Sequence, residues 1–70
     1  MNVIGQRIVT LRNYEGWSQR ELAKRLNLKT HTMVVYWETG RTEPSASNLK
    51  LLADVFNVSA DYLLGRTNDF

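Results

Sequence analysis

Residues 18–40, SQRELAKRLNLKTHTMVVYWETG, decide how the chain folds. Ser18 opens the stretch as a helix cap. Its hydroxyl can accept from the amide three residues on, while Glu21 at that position can reach back to the cap amide, the reciprocal pattern of a capping box. From there a helix runs to about Leu26, with Leu22, Ala23 and Leu26 as its apolar stripe and Arg20, Lys24 and Arg25 on the wet side. Asn27 tolerates the left-handed conformation that stops a helix, and Leu28-Lys29-Thr30 makes a short connection. Thr30 can cap a third helix that extends to about Thr39 and ends at Gly40. Residues 32–37, TMVVYW, have β propensity and are the one place where a strand competes with this reading.

Working outward, Ile4, Ile8 and Leu11 recur at helical spacing, so residues 3 to about 14 form an amphipathic helix that Gly16 closes. On the other side, Arg41-Thr42-Glu43-Pro44 cannot continue a helix, because proline disfavours α geometry in the residue before it. Ser45 then caps a fourth helix with Leu49, Leu52, Ala53 and Phe56 on its inner face. Ser59 caps a short fifth helix, with Asp61 near its positive end and Gly65 as its stop. The expectation is an all-α, compact five-helix domain over residues 1–66, with 67–70 as a tail or the start of a linker.

Composition narrows the class. Seventy residues, 43% of them apolar, enclose one modest core. No cysteine is present for disulfides or thiolate sites, and a single histidine, His31, cannot build a metal centre, so neither metal nor cofactor is expected. No catalytic Ser-His-Asp or paired-carboxylate arrangement stands out, which argues against an enzyme. No apolar run approaches the roughly 20 residues that cross a bilayer, and the expectation is a soluble, cytoplasmic protein that leaves membranes alone. The net charge of +2 is unevenly spread. Residues 1–42 hold seven arginines and lysines against three glutamates, whereas 43–70 hold two against four acids. A basic amino-terminal part points to a polyanion-binding face, and the acidic remainder to a structural or partner face. Two short helices joined by a tight turn, flanked by basic residues, are the geometry that seats a helix in the major groove of DNA.

The stretches IGQRI (4–8), LR (11–12), SQRELAKRL (18–26), WETGRTEPS (37–45) and NLKLLADVFNVSADYLLG (48–65) together resemble the phage-repressor-like, xenobiotic-response-element type of helix-turn-helix domain. The resemblance covers Ile4 to Gly65 in order, spacing and caps. It implies a lambda-repressor-like fold, double-stranded DNA as partner, and a bacterial or phage regulator of transcription on the nucleoid. The function it implies is repression by a homodimer on an inverted-repeat operator, with no small-molecule ligand evident. A protein-interaction module, such as an antitoxin or a polymerase-binding domain with weak DNA affinity, is the competing reading.

Carried onto this chain, the resemblance makes Gln19 a phosphate ligand that also braces the recognition helix. Arg12 and Glu38 become an internal ion pair, and Arg41 and Thr42 a loop that grips the DNA backbone. Ser18, Arg20, Lys29 and Arg12 join the phosphate set. One residue more than the family pattern lies between Leu26 and the Trp37-Glu38 pair, which lengthens the turn or bulges the helix. With the turn lengthened, Val34 and Trp37 face the core, and His31, Thr32, Val35 and Tyr36 face outward as base contacts, Tyr36 standing between a base contact and a packing role. The alternative register, anchored on Thr32-Met33, moves Thr30 and His31 to the leading positions. Met33 is expected in the core with Val34 and Trp37, and Trp17 over the corner between the first two helices. Arg7 is undecided between DNA and structure. Tyr62, Leu63 and Leu64, with Phe70, either close the core or line a two-fold interface.

Overall fold

The computed structural model describes residues 2–70; Met1, counted in the expected domain, lies outside the described residues. Five helices follow one another: α1 (Val3–Glu15), α2 (Gln19–Arg25), α3 (Thr32–Thr39), α4 (Ala46–Phe56) and α5 (Ala60–Leu64). No strand occurs among the described residues, and the β-prone TMVVYW segment is helical. Burial of Val34 and Trp37 at i, i+3 overrides local propensity there.

The serines at 18, 45 and 59 each accept from the amide three residues on, at 3.0, 3.2 and 3.0 Å. α1 has a cap the sequence reading did not single out: Asn2 Oδ1 accepts from the Gly5 amide at 2.8 Å. Two details of the expected capping differ. Glu21 does not return to the Ser18 amide but pairs with Arg25 one turn later at 2.8 Å, where the opposite charge competes better than a neutral N–H. The N-cap of α3 is His31, with no side-chain hydrogen bond; Thr30 stands one residue outside and accepts from the Thr32 amide at a long 3.3 Å. The helices stop where left-handed residues were expected, with φ of 60° at Asn27 and 81° at Gly40.

α1 packs across α3 and α5, α2 against α3, and α4 against α5. Ile8, Leu22, Val34, Trp37, Leu52 and Leu63 lose essentially all contact with solvent, each contributing roughly 1.5–3 kcal/mol of transfer free energy. Trp17 reaches past the expected corner and stacks on Phe56 of α4, ring centroids 5.4 Å apart. Met33 is a correction: it is 39% exposed, because Val34 and Trp37 already occupy the inward face of a two-turn helix. Tyr62 and Leu63 are likewise removed from the possible two-fold interface, since both are buried in the domain's own core. Residues 67–70 lie beyond the helices and return to the body: Asn68 accepts from Arg7, and Phe70 meets Tyr62 edge-on at 5.0 Å.

Candidate nucleic-acid interface

The centre of the arrangement is one buried carboxylate. Glu38, near the end of α3, is only 4% exposed, and an anion so placed must be neutralised and hydrogen-bonded to persist. Arg12 of α1 meets it with a two-pronged contact, Nε donating to Oε2 at 2.8 Å and Nη2 to Oε1 at 3.1 Å. Gln19, the first residue of α2, donates from Nε2 to Oε1 at 3.0 Å. A third Arg12 donor, Nη1, reaches the Trp17 carbonyl at 2.9 Å and so ties down the α1–α2 turn. Three helices therefore meet at one carboxylate, with the α1–α2 turn tied in through Arg12, and the orientation of α3 is fixed from behind. The expected Arg12–Glu38 pair and the bracing role of Gln19 are both present. Three of the five Arg12 donors are spent inside and its side chain is 15% exposed, so its first role is in this pair.

Gly5 makes the close approach of α1 to α3 possible. A β-carbon there would lie 2.5 Å from the Trp37 carbonyl oxygen and 2.8 Å from that of Glu38. Nothing in the helical periodicity singled this residue out, although IGQRI carries it.

On the opposite side, α3 presents Thr32 in the open and Val35 and Tyr36 half-exposed, while Val34 and Trp37 face in. The eight residues of α3 form a regular helix, so the additional residue is accommodated in the connection rather than as a bulge. His31 is half-exposed at the leading end, beside exposed Thr30. Between α2 and this connection lies an open groove of about 740 Å³, whose lining includes Arg20, Lys24, Lys29, His31 and Thr32 and no carboxylate. Positive charge and hydroxyl donors thus share one concave surface next to the exposed face of α3. Ser18 is exposed at the start of α2 but its hydroxyl already caps the helix. Past the end of α3, Arg41 and Thr42 are exposed, and their amides approach the Tyr36 carbonyl oxygen at 2.9 and 3.4 Å.

Arg7 has structural contacts: its guanidinium lies 4.1 Å from the centroid of the Tyr62 ring, and Nη2 donates to Asn68 at 2.9 Å. That contact spans 61 residues of chain, and local patterning carries no sign of it. Among the described residues there is no His, Asp or Glu cluster able to hold a metal ion, and no helix long and apolar enough to cross a membrane.

Two helices joined by a short connection, the second braced by a buried ion pair and displaying its far side, define a helix-turn-helix domain. The chain belongs to the helix-turn-helix family, whose pattern matches residues 8–63. It is 35% identical over 63 residues to the HTH-type transcriptional regulator ImmR of Bacillus subtilis (strain 168), covering 90% of this chain and 49% of that protein. It is 39% identical over 61 residues to the HTH-type transcriptional regulator DicA of Escherichia coli (strain K12), covering 87% of this chain and 44% of that one. The chain therefore spans about half the length of these relatives. Its fold matches that of the P22 c2 repressor in complex with synthetic operator 9T, with a TM-score of 0.83 and 31% identity over 91% of this chain and 96% of that one.

Proposed function

We propose that this chain binds double-stranded DNA sequence-specifically and regulates transcription, acting as a repressor that occupies an inverted-repeat operator as a homodimer. The observation that carries the reading is the division of α3 into two sides. Glu38 locks its inner side to α1 and α2, and the free side carries groups suited to base edges: the Thr32 hydroxyl, the Val35 methyls and Tyr36, with His31 and Thr30 at the leading end. Gln19, Arg20, Lys29 and Thr42 flank this face as phosphate ligands, with Arg41 of the same loop beside them, and phosphate contacts supply affinity and register rather than sequence information. Ser18 contributes through its position at the start of α2. The likeness to a repressor solved on its operator supports the same reading.

Two recognition helices must meet half-sites about 34 Å apart, which is the reason for expecting a dimer. Leu64 and Phe70, at 42% and 70% exposure, are the members of the carboxy-terminal apolar set free to join a two-fold contact. A regulator of this kind works in the cytoplasm, on the nucleoid.

The test is selection of bound sequences from a random duplex pool, followed by titration of the best site against scrambled DNA at two salt concentrations. An enriched inverted repeat, with affinity that falls as salt rises and a clear margin over scrambled DNA, is the expected result. Enrichment of no sequence, with weak and purely salt-driven binding, overturns it in favour of a protein-interaction module.

A further inference from the structure

The exposed face of α3 has a chemical shortfall. His31, Thr30, Thr32, Val35 and Tyr36 include no arginine, glutamine or asparagine, the side chains that make bidentate contacts to a base pair. The structure places such a group beside them from outside the helix. The Arg41 guanidinium lies 4.7 Å from the centroid of the Tyr36 ring. Its main chain is held to the same residue, with the Arg41 amide donating to the Tyr36 carbonyl oxygen at 2.9 Å.

Two other arginines stack on aromatic rings, and both are also tied through their donors: Arg7 to Asn68, and Arg25, over Trp17, to Glu21. Arg41 differs. Among the described residues no side chain or carbonyl accepts from its guanidinium, and Glu43, two residues away, forms no ion pair with it. A planar cation is thus positioned by an aromatic face at the edge of the recognition surface while its donors remain unused. Stacking restricts the orientation of the fork but leaves its edge open to a partner with two acceptors, such as the O6 and N7 edge of guanine.

We infer that Arg41, oriented by Tyr36, reads a guanine in the major groove through its O6 and N7 acceptors, and so is a specificity-determining residue rather than a phosphate ligand. Tyr36 is the positioning residue: its ring sets the plane of the guanidinium and its carbonyl sets the start of the loop. The inference rests on the DNA-binding reading above and deepens it.

The experiment compares the wild-type chain with Arg41→Lys on the selected site and on a panel in which each base pair is replaced in turn. Lysine keeps the charge but has neither the planar fork nor the stacking geometry. The wild-type chain should lose on the order of 10- to 100-fold in affinity when one particular guanine is changed, or replaced by deazaguanine lacking N7. Arg41→Lys should erase that one preference, leaving discrimination at the other positions and the dependence on salt unchanged. Tyr36→Leu should weaken the same preference. If Arg41→Lys keeps every preference, or weakens all sequences equally, Arg41 touches only the backbone and the inference fails while the proposed function stands. If the wild-type chain shows no sequence preference at all, both fail together.

Discussion

Gly5 and Trp37 touch through their backbones: α1 crosses α3 at the one residue of its first turns that has no side chain, and a β-carbon there would stand 2.5 Å from the Trp37 carbonyl oxygen. Because the obstructing atoms are main chain, no rotamer change relieves the overlap. Gly5→Ala should therefore destabilise the domain by about 1–3 kcal/mol through forced separation of the two helices, despite the gain of about 1 kcal/mol in helix propensity. A thermal melt checks this. A loss of several degrees is expected, at roughly 4–8 °C per kcal/mol for a domain of this size, and an unchanged or raised midpoint would show that the helices separate freely.

The Arg12–Glu38 pair should behave as a buried ion pair does when half of it is removed. Arg12→Met leaves an unpaired carboxylate that is 4% exposed, a loss of about 3–5 kcal/mol, enough to unfold much of a small domain. The double variant Arg12→Met with Glu38→Leu removes both charges and should recover a large part of that loss. Denaturant unfolding of the single and double variants decides the matter; equal stability of the two would mean that the charge is not what makes the single variant weak.

His31 separates stability from binding. It caps α3 without a side-chain hydrogen bond, and the first turn of that helix holds no acidic residue to offset its positive end. His31→Asp should add about 0.3–1 kcal/mol through the helix dipole. The same negative charge at the leading end should weaken DNA binding at least tenfold by repulsion from phosphate. A raised melting point accompanied by unchanged DNA affinity would take His31 out of the interface.

Lys29 should act through charge alone. Lys29→Ala is expected to weaken binding by a similar factor on the selected site and on scrambled DNA, and to reduce the slope of log K against log salt by about one. A loss confined to the selected site would instead make Lys29 a base contact.

Much of this architecture was legible in the sequence because it is written locally. Ser18, Ser45 and Ser59 announce their helices by the position of one hydroxyl, and Asn27, Gly40 and Gly65 end theirs by tolerating positive φ. The inward stripe of Ile8, Leu11, Leu22, Leu26, Leu52 and Phe56 follows from spacing alone. Met33, Tyr62 and Leu63 were less legible, because which apolar residues a short helix buries depends on where its partners lie. α3 had already filled its inner side with Val34 and Trp37, whereas α5 turns Tyr62 and Leu63 inward and leaves Leu64 exposed. Arg7 could be placed only once the chain brought Tyr62 and Asn68 to it. In the candidate interface, the Arg12–Glu38 pair and Gln19 were readable through family resemblance. The stacking of Arg41 on Tyr36 was not, since it depends on how the chain turns after Gly40.

Glu38 holds α3 from the inside through Arg12 and Gln19, and none of those three contacts involves a side chain at positions 31, 32, 35 or 36. The residues proposed to read DNA can therefore vary without loosening the clamp that aims them. A lineage carrying this domain can move to a new operator by a few substitutions on one exposed surface, each neutral to the ion pair beneath it, and so diverge in recognition while keeping its frame.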